Sequence, residues 1–84
     1  MAYVVHLANR AEKGLRNIPA ADSDRIISAI EEMEVDPLAG DIVKLKGTDA
    51  FRRRVGNYRI IFTINADHAV ILVMDILRRT STTY

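Results

Sequence analysis

Residues 51–64 read FRRRVGNYRIIFTI, and this stretch sets the architecture of the whole chain. Two predicted strands, 51–55 and 58–64, flank the pair Gly56-Asn57. Glycine at the first central position suits a type II′ turn, so the stretch predicts a β-hairpin. A loop of two residues places Val55 opposite Tyr58 and Arg54 opposite Arg59.

Side chains alternate between the two faces of a strand, so this register divides the hairpin into an apolar face and a basic face. Arg53 is the only charge expected on the apolar face. A second turn over residues 65–68 leads to a last strand, residues 70–77. The side chains predicted to extend the apolar face are Val70, Leu72, Met74 and Ile76, and those predicted on the basic face are Arg52, Arg54, Arg59, Asp75 and Arg79.

The N-terminal half predicts one strand followed by two helices. Residues 3–7 alternate as a strand, and Asn9 with Glu12 forms a capping pattern ahead of a first short helix. A second helix opens at Pro19 and ends at Asp36-Pro37, because the residue before proline avoids the α region. Its predicted core stripe is Ile26, Ile27, Ile30 and Met33. The expected fold is therefore α+β, in the order β-α-α-β-β-β, with both helices on one face of a small, mainly antiparallel sheet.

Length and composition limit the classes of protein that the chain can represent. Its 84 residues, 49% of them hydrophobic and 27% charged, predict one globular domain over residues 1–84. The chain has no cysteine, which excludes disulfides and thiolate metal sites. His6 and His68 have no partner at metal-ligand spacing, and no cofactor motif is present, so neither metal nor cofactor is expected. Without a signal peptide or a long apolar run, the predicted location is the cytoplasm and no membrane partner is expected.

Charge is distributed unevenly along the chain. Residues 1–43 contain four bases and eight acids, a net charge of −4, whereas residues 44–84 contain eight bases and three acids, a net charge of +5. This asymmetry favours a surface for a polyanion on the second half. The alternative is that the two halves neutralise each other in the fold.

The basic face has the chemistry of a phosphate site. Arg54 and Arg59, directly opposite each other, repel unless an anion lies between them. The guanidinium group also carries a fork of donors that matches two phosphate oxygens. Alternatively, this face is merely solvated and Asp75 neutralises one arginine; Asp75 is more suited to orienting Arg79 or Arg59 than to acting as a base.

The run 44–47 (KLKG), the hairpin 51–62 and the ending Arg78-Arg79 with a tyrosine a few residues later resemble the RelE toxins of bacterial and archaeal toxin–antitoxin systems. The upstream helix pair closing at Asp36-Pro37 is similar too, so the resemblance covers essentially the whole chain. The arginine–valine–glycine–turn–tyrosine–arginine core is typical of the wider RelE/ParE superfamily.

This resemblance implies a toxin that enters the ribosomal A site and cleaves mRNA without a metal, by attack of a ribose 2′-OH on the adjacent phosphate. It also implies a RelB-like antitoxin that covers the sheet or displaces C-terminal residues with a helix and acidic side chains. By the same resemblance, Arg59 and Arg79 hold the scissile phosphate, and Arg52 and Arg54 replace lysines of well-known members. Tyr84 stacks on the base or orients the 2′-OH. The residues implied to bind the rRNA and mRNA backbone are Lys44, Lys46, Arg53 and Arg78.

Two questions stay open at this stage. Arginine cannot give up its proton at usable pH, so the base is either Tyr84 or Asp75, unless positioning on the ribosome supplies most of the rate. The second question is the target, because a ParE-like toxin that poisons DNA gyrase without enzymatic activity shares the same superfamily core. A degenerate toxin or a plain RNA-binding module would bind RNA and leave it intact.

Overall fold

The computed structural model describes residues 2–79 of the chain. Two helices and five strands follow one another in nearly the predicted order, with one additional short strand. The elements are β1 (Val4–Leu7), α1 (Asn9–Arg16), α2 (Ala20–Val35), β2 (Ile42–Lys44), β3 (Phe51–Val55), β4 (Tyr58–Asn65) and β5 (Val70–Arg78).

The five strands form one mixed sheet in the order β1-β5-β4-β3-β2. Strands β2 to β5 are an antiparallel meander, whereas β1 lies parallel to β5. The first strand of the chain therefore lies beside the last. This arrangement confirms the predicted α+β fold with a mainly antiparallel sheet.

The hairpin of β3 and β4 has the predicted register. Val55 lies opposite Tyr58, Arg54 opposite Arg59 and Arg52 opposite Ile61. Gly56 has a φ of 56°, and Asn57 has no positive φ, so only the first central residue is in the left-handed region. This combination is that of a type II′ turn.

Both helices pack on one face of the sheet, called here the helix face. In α2, Ile26 and Met33 are fully buried, as predicted, but Ile27 is 41% exposed and Ala29 occupies the third buried position. The helix ends at Val35 with Asp36 as its C-cap, as predicted from Asp36-Pro37. The buried cluster comprises Ala11, Ile26, Ala29 and Met33 from the helices and Tyr58, Ile60, Phe62, Ile71, Val73 and Ile76 from the sheet.

A β-bulge in β5 overturns the predicted core face of that strand. Ile61 pairs with Asp75 but the next residue, Phe62, pairs with Val73, so Met74 is an extra residue. The extra residue reverses the alternation: Ile71 and Val73 are buried before it, and Ile76 is buried after it. The prediction was correct for Ile76 and wrong for Val70, Leu72 and Met74, because it extended one phase through the whole strand.

The predicted cap at Asn9 is also wrong. Asn9 is the first residue of α1, and Ala8 is the N-cap with an extended backbone and no capping side chain. The N–H of Ala8 donates to Val73 O at 2.9 Å, and the N–H of Glu12 donates to Ala8 O at 3.0 Å. Pairing with β5 therefore continues up to the residue where the helix starts, which leaves no room for a separate cap.

Strand β2 was missed because it has only three residues. It pairs with β3, and Val43 lies opposite Arg52. No helix within residues 2–79 is long and apolar enough to cross a membrane.

Candidate nucleic-acid interface

Four arginines meet on the face of the sheet opposite the helices, called here the open face. Arg52 and Arg54 lie on β3, Arg59 lies opposite Arg54 on β4, and Arg79 follows β5. The N–H of Arg79 donates to Asn57 O, which places Arg79 beside the hairpin turn. These four residues, all predicted from the sequence, are named here the arginine cluster.

The members of the cluster act on one another electrostatically. The positive charge of Arg54 lowers the pKa of Arg79, and partial burial and the charges of Arg59 and Arg52 act in the same direction. Asp41 opposes this shift. A lowered arginine pKa means that the surroundings destabilise the positive charge, and a bound anion would remove this penalty.

Several donors of the cluster have no protein acceptor among residues 2–79. The Nε atoms of Arg52, Arg59 and Arg79 are buried and form no hydrogen bond within the described part of the chain. A buried donor without an acceptor is costly, and functional sites are a common reason for one. Phosphate oxygens are acceptors that guanidinium groups bind well.

Asp41 is a counter-ion of the cluster that sequence reasoning missed. Its Oδ2 lies 3.7 Å from Nε of Arg54, and its backbone oxygen accepts from the N–H of Arg54 at 3.0 Å. The sequence did not indicate that Asp41 lies beside Arg54, because Asp41 directly precedes β2 and that strand was not predicted. The 3.7 Å separation and the exposure of both side chains make this a weak ion pair, so most of the positive charge of the cluster is left.

Asp75 does not have the role proposed for it. Its Oδ2 lies 3.6 Å from Nη1 of Arg10 on α1, and its Oδ1 accepts from the N–H of Ile76 at 2.9 Å. Among residues 2–79, Arg10 is the only partner with which Asp75 forms an ion pair, so it orients neither Arg59 nor Arg79.

Arg53 requires a second correction. It was assigned to the RNA backbone, but it lies on the helix face and is only 8% exposed. Its Nη1 donates to Ala29 O at 3.1 Å, and its Nη2 pairs with the carboxylate of Glu32. The guanidinium therefore ties β3 to α2 and does not face the open side of the sheet.

The remaining predicted RNA contacts are exposed but lie outside the cluster. Lys44 and Arg78 lie opposite Phe51 and Tyr58, on the helix-face side of the sheet, and Lys46 follows β2 in a turn. Residues 44–49 surround a shallow concavity of about 410 Å³ at this end of the molecule. Tyr84, predicted to contact the base or the 2′-OH, lies outside the described residues.

Aliphatic side chains border the arginine cluster. Leu77 lies opposite Arg59 and is 44% exposed, and Val43 lies opposite Arg52 and is 45% exposed. Leu72, further along β5, is also exposed because the bulge turns it away from the core. The open face thus combines concentrated positive charge with apolar surface.

Comparison with known proteins places the chain among toxins. Residues 5–82 match the profile of a family described as the ParE toxin of the type II toxin–antitoxin system parDE. The protein named RelE1 from Methanocaldococcus jannaschii is 29% identical over 83 residues, which cover 94% of this chain and 92% of RelE1.

Two solved structures extend the comparison to three dimensions. The archaeal RelE–RelB complex from Pyrococcus horikoshii contains a chain 30% identical to this one, with a TM-score of 0.86 over 98% of this chain and 100% of that chain. The RelB–RelE antitoxin–toxin complex from Methanococcus jannaschii gives 34% identity and a TM-score of 0.71, over 86% of this chain and 87% of that chain.

Proposed function

Because this chain belongs to the ParE/RelE family of toxins from type II toxin–antitoxin systems, we propose that it is a ribosome-dependent, metal-independent endonuclease that cleaves mRNA in the ribosomal A site. The observation that carries this proposal is the arginine cluster. Four guanidinium groups converge on one open face, and the one carboxylate paired with them among residues 2–79 is that of Asp41. Binding to a ribosome implies that the toxin acts in the cytoplasm.

In the proposed reaction, the 2′-oxygen of a ribose forms a bond to the adjacent phosphorus and the bond from phosphorus to the 5′-oxygen breaks. The transition state has more negative charge on the phosphoryl oxygens than the substrate has. Fixed positive charges close to those oxygens therefore stabilise the transition state more than the ground state. Arg59 and Arg79 hold the scissile phosphate, and Arg52 and Arg54 add charge around it.

The cluster does not supply a base, since arginine keeps its proton at every usable pH. We do not assign the role of base to Asp75, because its ion pair is with the exposed Arg10 of α1 rather than with the arginines of the cluster. Positioning of the 2′-OH and electrostatic stabilisation then supply most of the rate. Tyr84 is proposed to stack on the base or orient the 2′-OH, and Lys44, Lys46 and Arg78 to contact the rRNA and mRNA backbone.

The partner that restrains the toxin is proposed to be a RelB-like antitoxin. The chains similar to this one in P. horikoshii and M. jannaschii are in complexes with RelB. A segment with acidic and aliphatic side chains fits the open face, where exposed Leu77 and Val43 border the arginine cluster. We expect the purified complex to protect the four arginines from guanidinium-modifying reagents, and full reactivity in the complex would contradict this assignment.

Primer extension on a defined mRNA in a translation extract tests the nuclease. Wild-type protein should create new 3′ ends, and Arg59→Ala or Arg79→Ala should lower the cleavage rate by about 10²-fold, as expected when a transition-state donor is removed. Arg16→Ala, which removes an exposed arginine from α1, is the matched control and should cleave normally. An unchanged cleavage rate in the Arg59→Ala and Arg79→Ala variants would show that these arginines do not take part in the reaction.

A gyrase poison is the second candidate, because the matching family profile is that of the ParE toxin. If the protein poisons gyrase, the mRNA in the same extract should stay intact and stalled gyrase–DNA complexes should accumulate. The concentration of arginines on one face favours the nuclease, since a toxin that binds only protein has no need of a phosphate site.

A further inference from the structure

A second group of arginines lies beside the hairpin turn, between α2 and the end of β3. A groove of about 340 Å³ opens there, and its walls include Arg25, Ser28 and Glu32 of α2 and Arg53, Arg54 and Gly56 of the hairpin. Three of these side chains are guanidiniums and one is a carboxylate. The carboxylate of Glu32 is already paired with Arg53, so the groove as a whole is electropositive.

Arg25 is the side chain of this groove that no other part of the fold uses. Within residues 2–79 it forms no ion pair and no hydrogen bond to another side chain. Its guanidinium lies against the hairpin turn: a Cβ at Gly56 would be 3.2 Å from both terminal nitrogens and 3.3 Å from Cζ. A glycine at this point lets the guanidinium lie close to the backbone, beside Arg54.

Arg54 connects the groove with the arginine cluster. Its side chain lies opposite Arg59 on the open face, and the residue also borders the groove at the hairpin end of β3. A ligand with one phosphate in the cluster and a further phosphate along the same strand would meet Arg25 next. A single-stranded polyanion fits this pair of sites better than an isolated anion, because its charges repeat along a chain.

We infer that the groove bounded by Arg25, Ser28 and Arg54 is a second phosphate subsite, which binds a phosphodiester of the RNA strand neighbouring the one held by the arginine cluster. This inference rests on the proposed RNA-cleaving function and deepens it. The subsite makes no contact with the reacting atoms. Its role is to fix the path of the strand past the hairpin turn.

Salt dependence of RNA binding tests the subsite without relying on cleavage. The probe is a short fluorescein-labelled single-stranded RNA, and the measurement is fluorescence anisotropy across a NaCl titration. Loss of one phosphate contact should make the plot of log affinity against log salt shallower by about 0.7. We expect Arg25→Ala to show this shallower slope and roughly threefold to tenfold weaker binding at low salt.

Three further variants make the outcome decisive. Arg25→Lys keeps the charge and should keep the slope, whereas Arg16→Ala removes an exposed arginine from α1 and should behave like the wild type. If Arg59→Ala weakens RNA binding and Arg25→Ala does not, the groove is not a phosphate subsite, although the proposed function stands. If neither variant weakens binding, the groove is not a phosphate subsite, and the primer-extension assay alone decides the proposed function.

A last arm separates RNA from a protein ligand. Affinity for the purified antitoxin is measured for the same variants, with thermal unfolding midpoints as a check on folding. Weaker antitoxin binding by Arg25→Ala, together with unchanged RNA binding, would overturn the subsite and make the groove a contact for the antitoxin.

Discussion

Three successive arginines of β3 have the same side chain and different surroundings. Arg53 is 8% exposed and bonded to α2, whereas Arg52 and Arg54 face the opposite side of the sheet. Successive side chains of a strand point to opposite faces of the sheet. Arg53 therefore has a structural role, whereas its two neighbours in the sequence are available to a ligand. Composition alone would count all three as one basic patch.

This difference predicts unequal effects of the two substitutions on stability. Arg53→Ala should lower the free energy of unfolding by about 2 kcal/mol, because it removes charge-assisted hydrogen bonds to Ala29 O and to the exposed Glu32. Arg54→Ala should change it by less than about 0.5 kcal/mol, since it also removes repulsion from Arg59. Urea unfolding followed by circular dichroism measures both, and equal losses would contradict the assignment.

Tyr58 gives the folded state a dependence on alkaline pH. Burial raises the pKa of its phenol above 10.0, and the hydrogen bond that its hydroxyl donates to Asp22 Oδ2 at 3.0 Å acts in the same direction. The neutral phenol is therefore favoured by folding, so its contribution to stability is complete below pH 10.0 and is lost as pH rises through the higher folded-state pKa.

Tyr58→Phe should accordingly destabilise the protein at neutral pH, because the bond to Asp22 is lost. Above the pKa of the unfolded phenol, the difference in unfolding free energy between the two proteins should shrink. Tyr58 then ionises in the unfolded wild type, which favours unfolding, and the phenylalanine variant has no group that ionises. Unfolding free energies measured from neutral to alkaline pH test this, and a constant difference between the two proteins would show that Tyr58 does not titrate with folding.

At the scale of the elements, the sequence predicted what is local and missed what depends on distant pairing. The β3–β4 register was predictable because a two-residue turn with glycine at its first position fixes it. The phase of β5 was not, because nothing within residues 70–78 marks Met74 as the bulged residue; the bulge is set by pairing with β4. The same limitation hid β2 and, with it, the counter-ion Asp41.

The contact between α1 and β5 predicts an exception to helix propensity. Alanine in place of a helical glycine usually stabilises by about 1 kcal/mol. A Cβ at Gly14, however, would lie 2.9 Å from the backbone oxygen of Ile76, so either the helix or the strand has to move. Gly14→Ala should therefore destabilise the protein by about 1–3 kcal/mol, the usual cost of overpacking.

Thermal or urea unfolding of Gly14→Ala gives the answer directly. Gly47→Ala is a useful comparison, because Gly47 has a φ of 75° and no atom within 4 Å of its added Cβ, so its cost comes from the backbone conformation alone. A more stable Gly14→Ala protein would mean that α1 moves away from β5 at little cost.

The whole molecule has one face of the sheet that packs against the helices and one that carries the arginine cluster. The predicted division of charge along the chain corresponds to this arrangement only in part. The acidic half supplies the helices. Two of its acids, Glu32 and Asp41, pair with Arg53 and Arg54 of the basic half. The sequence placed all four arginines of the cluster on one face of the sheet, as the structure has them. Its neighbour Arg25 was not, because it comes from the acidic half and meets the hairpin only through packing.

A molecule with concentrated like charge should be stabilised by the anion that it binds. Inorganic phosphate at ten times its dissociation constant should raise the free energy of unfolding by about 1.4 kcal/mol. The Arg54→Ala/Arg59→Ala double variant should show a much smaller rise. Both are compared in NaCl of the same ionic strength, and an equal rise would indicate a general salt effect on the folded state.

The position of β1 next to β5 bears on how the toxin comes into existence during translation. A nascent chain leaves the exit tunnel N-terminus first, so β1 and both helices emerge well before the strand that β1 pairs with. The helices have no complete sheet to cover until β5 is out, and Arg79 comes later still. The ribosome that makes this protein therefore synthesises almost the whole chain before the five-stranded sheet and the arginine cluster can form.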